Sequence, residues 1–164
     1  MFKFKWLITA LLFFVIAVHP CFSQDSAKIV GTWRVVSFET EYQTTGAREA
    51  IMGKNPMGYN IYTPEGRMMT LITAAGLKAA TTDQERANLW RSMVAWSGTY
   101  RVEGDKLITR IEVSSMPTWV GAERVLLLRF DGDRLQTVPA EWMDAPLNPE
   151  RGKMRTVITL ERVK

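Results

Sequence analysis

The sequence predicts an all-β fold, an antiparallel barrel of about eight strands with one short amphipathic helix. Three observations predict it. Short β-branched and aromatic segments recur about every ten residues, separated by turns containing Gly, Pro or Asp. Strict alternation marks the longest segment, where Leu107, Thr109, Ile111 and Val113 interleave with Ile108, Arg110, Glu112 and Ser114. Only one stretch, near Leu89 and Trp90, shows a helical apolar period.

Ahead of the barrel, Lys3 and Lys5 precede residues 6–18, an uncharged apolar run diluted only by Thr9. Such a run suits the h-region of a secretory signal and is shorter than the roughly 20 residues of a membrane-spanning helix. Pro20 ends it, and Cys21 and Ser23 put small side chains where a signal peptidase reads. Cleavage is expected after Ser23, so that residues 1–23 are a signal peptide and the domain spans 24–164, exported to a periplasm or secreted, with no membrane span. Lipidation at Cys21 is disfavoured, because Val18-His19-Pro20 lacks the small residue a lipobox needs directly before the cysteine.

The chain has 21 basic and 17 acidic residues, and the leader takes two of the basic ones, leaving a nearly neutral domain. That is no footprint of nucleic-acid binding. A chain of this size closes one core without disulfides or metals. The one cysteine, Cys21, and the one histidine, His19, both lie in the leader. Disulfides, His-dependent nucleophile pairs and Cys/His metal or haem sites are therefore excluded from residues 24–164. No metal or cofactor is expected, and any chemistry rests on carboxylates, Tyr, Lys, Arg or Ser/Thr.

The first strand is expected over 31–42, with Trp33, Val35 and Ser37 on one face and Arg34, Val36 and Phe38 on the other. A loop to Met57, with Gly46, Gly53 and Asn55-Pro56 as turn formers, reads as a flap over one barrel end. Strands 58–63 and 67–74 form a hairpin through Pro64-Glu65-Gly66. Thr82 and Glu85 make a capping box, and Leu89, Trp90, Met93 and Val94 extend the expected helix over 83–95. The remaining strands are expected at 98–103, 106–115, 124–130, 134–138 and 154–163, with tight turns at Gly104-Asp105 and Asp131-Gly132-Asp133.

Gly31-Thr32-Trp33 resembles the Gly-x-Trp signature of lipocalins, whose tryptophan closes the narrow end of the barrel. More widely, Gly31 to Glu39, Pro56 to Met68, Ser97 to Val102, Pro117 to Gly121 and Asp131 to Leu135 are similar in order and spacing to the bacterial and fungal lipocalin-like domain family, over roughly residues 29–163. The resemblance implies a calycin-like barrel in which a late arginine, here Arg162, packs across Trp33 as a cation–π pair. It implies no single activity. Relatives are expected to carry histidine in the strand where this chain has Thr109-Arg110.

The aromatic set Trp33, Tyr59, Tyr62, Trp96, Tyr100 and Trp119 suits either core packing or a pocket wall, with Trp33 as a plug. Met57, Met68, Met69, Met93 and Met116 suit an adaptable cavity or ordinary gap filling. The expected ligand-binding set is Tyr62, Met69, Leu71, Tyr100, Ile111 and Trp119, with Met69 and Leu71 facing inward. Among carboxylates, Glu112 shares a face with Arg110, and Glu39 with Glu41, as candidates for acid–base work or as solvated residues. The leading expectation is an exported module that binds a small apolar or amphipathic molecule inside the barrel. A Tyr/Glu isomerase or cyclase, and an envelope protein acting through its surface, are the alternatives.

Overall fold

The structure, a computed structural model, describes residues 24–145 and 149–164, so the leader, with Cys21 and the cleavage after Ser23, lies outside the described residues. A short helix α1 (Gln24–Ile29) leads into β1 (Gly31–Tyr42). There follow β2 (Arg48–Ala50), β3 (Met57–Tyr62), β4 (Arg67–Thr73), α2 (Asp83–Arg91), β5 (Met93–Glu103) and β6 (Lys106–Ser114). The chain ends with β7 (Glu123–Asp131), β8 (Arg134–Pro139), β9 (Met143–Asp144) and β10 (Lys153–Arg162). The sheet runs β2-β1-β3-β4-β5-β6-β7-β8-β10-β9, and antiparallel pairing of β1 with β10 closes it. Eight strands form the closed barrel, and β2 and β9 add short pairings alongside β1 and β10. Closure removes the exposed edges of an open sheet.

Two β-bulges change which side chains face inward. In β1 the pairing with β10 shifts between Val35 and Ser37. The extra residue, Val36, turns Ser37 away and brings Phe38, Thr40 and Tyr42 onto the buried face with Trp33 and Val35. This corrects the uninterrupted alternation expected for the strand. In β6 the shift lies at Glu112, opposite Ser97 and Gly98, and leaves Val113 65% exposed instead of on the dry face. Gly98 permits the close approach there, since a Cβ on it would lie 2.0 Å from the carbonyl oxygen of Arg110.

The helix is shorter than its apolar spacing predicts. Its capping box is formed by the Thr82 side chain and Glu85, but it ends at Arg91. Ser92 returns both its backbone N–H and its hydroxyl to the Asn88 carbonyl. Met93 and Val94 instead open β5, which pairs with β4 continuously from Thr73 opposite Met93 to Arg67 opposite Thr99. The helix buries none of its residues, so two more helical residues would gain little that this ladder does not provide. The expected flap is also partly ordered: β2 pairs with Glu39–Glu41 of β1, and Met52 is buried in the core.

Met69 and Leu71 lie outside the barrel, 52% and 46% exposed, which corrects their expected inward direction. Met68, Thr70 and Ile72 are the buried residues of β4. Both faces of this strand read as apolar, so composition could not set the register, and a slip of one residue exchanges them. Across the ladder Asn60 faces Thr70 and Tyr62 faces Met68, all four buried. On the outer wall Tyr59, Met69, Leu71 and Val113 form an exposed apolar strip across β3 to β6.

Candidate functional site

At one end the barrel is sealed. Gly31 has φ +130, a backbone region that favours glycine, and its Cα faces the Arg162 guanidinium so closely that a Cβ would meet Nη1 at 3.0 Å. Trp33 is fully buried, donates its Nε1–H to the Ile29 carbonyl at 2.8 Å and packs at 6.2 Å from the Phe130 ring. Arg162 covers the indole at 4.2 Å, donates to the Val30 carbonyl at 2.9 Å and also reaches the Lys28 carbonyl. Toward this end Tyr62 and Tyr100 pack edge to face at 5.2 Å, and the Tyr100 hydroxyl donates to Thr63. Packing and hydrogen bonds fill this part of the interior.

Toward the other end the interior opens into a recess lined by Phe38, Trp96, Trp119, Arg124, Leu126, Thr137, Pro139, Thr156 and Ile158. It holds about 340 Å³ of empty space counting its open mouth, of which about 30 Å³ admits the centre of a water molecule. A water needs roughly 10–15 Å³ on that measure, so the recess as it stands has room for about two. Trp119 ends a single 3₁₀ turn, Pro117–Trp119, in the connection from β6 to β7. Its ring meets Trp96 edge to face at 5.6 Å, and the Arg124 guanidinium lies over it at 4.6 Å.

Arg124 is the chemically distinctive group of the recess. It sits opposite the buried Thr109 and two residues before Leu126, so the two-residue period of β7 points it inward. Burial lowers its pKa from the ordinary value, with no carboxylate to counter the shift. A guanidinium nevertheless stays charged at any physiological pH. Among the described residues its only side-chain contact with an aromatic or charged group is the Trp119 ring.

Two further interior oxygens, Asn60 Oδ1 and Thr70 Oγ1, are buried without a hydrogen-bond partner among the described residues. Asn60 donates its amide to the Tyr62 hydroxyl at 3.3 Å. Burial pushes the Tyr62 pKa up to about 12, so this phenol is a poor base at neutral pH.

Of the expected ligand-binding set, the recess takes in Trp119 alone. Tyr62, Tyr100 and Ile111 belong to the packed core around it, and Met69 and Leu71 lie on the outer wall. Sequence reasoning passed over Arg124, Thr137 and Thr156. The signal that points to Arg124 is its place in the alternation Arg124, Leu126, Leu128, Phe130, where a charge occupies an inward position.

The candidate carboxylates lie elsewhere. Glu112 takes two bonds from exposed Arg67, at 3.0 and 2.8 Å, on the outer wall. Glu41 is held between Arg155, at 2.6 Å, and Arg48, at 3.1 Å. The Arg155 hydrogen bond chiefly, with help from Arg48, lowers the Glu41 carboxyl below its usual pKa. Glu39 accepts from the Ser37 hydroxyl, and Arg110 is exposed. Among the described residues, no carboxylate lines the recess.

Comparison with curated proteins finds no match. Comparison with protein families matches residues 30–163, from the residue before Gly31 to the one after Arg162, to the lipocalin-like domain. With the closed antiparallel barrel, that match over most of its length places this chain in the lipocalin-like domain family.

Proposed function

We propose that this barrel binds one small amphipathic molecule in the recess at its Trp119 end. The observation that carries the reading is the contrast within the interior. One end is sealed by Trp33 and Arg162, whereas the other leaves an aromatic and aliphatic wall around polar side chains. A concave, mostly apolar site with a few placed polar groups is the usual form of a small-molecule pocket.

The enclosed space is small for a complete ligand, since such sites usually hold roughly 300–1,000 Å³. Binding therefore displaces Trp119, which is joined to the barrel through a three-residue turn and is only partly buried. Acid–base catalysis by Tyr and Glu is the weaker account, because among the described residues neither a Tyr nor a carboxylate lines the recess. The exposed strip of Tyr59, Met69, Leu71 and Val113 favours surface association as a second reading. A concentration-dependent mass in light scattering is its signature.

The reading includes export through the leader. Intact mass of the secreted or periplasmic form is expected to correspond to a chain beginning at Gln24. Binding is tested by native mass spectrometry after incubation with a lipid and metabolite extract. The expected result is one retained small molecule whose binding changes tryptophan fluorescence, a change reduced in Trp119→Phe and carried there by Trp96. A barrel that retains nothing, with unaltered tryptophan emission, overturns the binding reading.

A further inference from the structure

Resting on that binding reading, we infer that the ligand is an acid: a small amphipathic carboxylate whose anionic head sits on Arg124 and whose apolar part lies against Phe38, Trp96 and Trp119. The arginines on the outer wall are solvated or paired with carboxylates, as Arg34 is with Glu161, Arg67 with Glu112 and Arg101 with Glu123. Arg124 faces inward instead, partly withdrawn from water, with an indole face as its one compensating neighbour. A desolvated cation without a counter-charge is costly to a fold, and the cost falls when an anion arrives.

The guanidinium fork matches a carboxylate by two parallel hydrogen bonds. One positive charge in the recess balances a monoanion and undercompensates a dianion. Thr137, on β8, and Thr156, on β10, line the same space and supply hydroxyls for the remaining oxygen lone pairs. Binding moves the Trp119 ring off Arg124 and onto the tail, and the arriving head replaces the indole as the partner of Arg124. Fluorescence of Trp119 therefore reports occupancy.

The test titrates the purified protein, by calorimetry and tryptophan fluorescence, with octanoate, 1-octanol, acetate and inorganic phosphate. Wild type is compared with Arg124→Met, Arg124→Lys and the outer-wall control Arg129→Met. Octanoate is expected to bind at least about tenfold tighter than 1-octanol, the scale of a charge-assisted hydrogen-bonded pair. In Arg124→Met that preference disappears while 1-octanol is unaffected; Arg124→Lys keeps part of it and Arg129→Met all of it. Equal binding of octanoate and 1-octanol by wild type, or a preference that survives Arg124→Met, overturns the acid assignment and leaves the binding reading standing. Acetate or phosphate binding as tightly as octanoate also overturns it, in favour of a simple anion site. If none of the four probes binds, the acid assignment falls, and the extract experiment decides the binding reading separately. Should Arg124→Met not fold, Arg124→Lys and the salt dependence of octanoate binding to wild type carry the same test: a preference unchanged by both overturns the assignment.

Discussion

Each end of the barrel carries an arginine over a tryptophan, and the two pairs differ in everything around them. Arg162 covers a fully buried Trp33 and also donates to the carbonyls of Lys28 and Val30, which tie the segment leading into β1 to the last strand. Arg124 covers a partly buried Trp119, and among the described residues its guanidinium makes no hydrogen bond or ion pair. The same pairing therefore closes the fold at one end and leaves an unspent positive charge at the other. Whether an Arg–Trp pair is structural or available to a ligand is decided by the guanidinium's other hydrogen bonds, more than by the ring.

Stability measurements on matched variants sharpen this contrast. The largest expected effect is Trp33→Ala, a loss of about 3–5 kcal/mol for an aromatic removed from a packed interior. Trp119→Ala at the open end is expected to cost clearly less, and equal losses in denaturant unfolding would erase the distinction between the ends. Next comes Arg162→Met, expected to lose about 1–3 kcal/mol because it leaves backbone carbonyls without their charged donor. The corresponding Arg124→Met is expected to be neutral or slightly stabilising, since it removes an uncompensated cation.

Two smaller effects probe the interior and the rim. Thr70→Val replaces an unpartnered buried hydroxyl by a methyl of similar shape and is expected to raise stability by about 1 kcal/mol. Near the open end, Glu41→Gln weakens the bonds to Arg155 and Arg48 and is expected to cost about 1 kcal/mol at neutral pH. Because the folded Glu41 carboxyl titrates below its ordinary 4.5, its contribution is complete above that pH and is lost as pH falls through the lowered value. The gap between wild type and Glu41→Gln should therefore narrow on acidification. A constant gap from neutral to acid pH would remove Glu41 from the acid response.

Much of the barrel is legible in the sequence. The turn at Pro64-Glu65-Gly66, the hairpin turns at Gly104-Asp105 and Asp131-Gly132-Asp133, and the capping box at Thr82 and Glu85 follow from local chemistry, and each forms. Local signals failed where pairing between distant strands prevailed. Met93 and Val94 carry a helical period but gain more from the β4 ladder. The bulge at Val36 draws Phe38 into the recess wall, and nothing in its neighbouring residues announces a bulge. In β4, where Met68, Met69, Leu71 and Ile72 put apolar side chains on both faces, the pattern had no polar side to orient it.

By itself the sequence determined the all-β class, the approximate strand count, the family and the chemistry available to residues 24–164, which contain no cysteine or histidine. These follow from residue type and spacing, which act over a few residues at a time. Tertiary structure alone decided which end is sealed, that Met69 and Leu71 face outward, and that Arg124 enters the interior with the Trp119 ring, and no carboxylate among the described residues, against its guanidinium. Each of those depends on register between strands far apart in the chain, where one bulge or one slip exchanges the two faces of a strand.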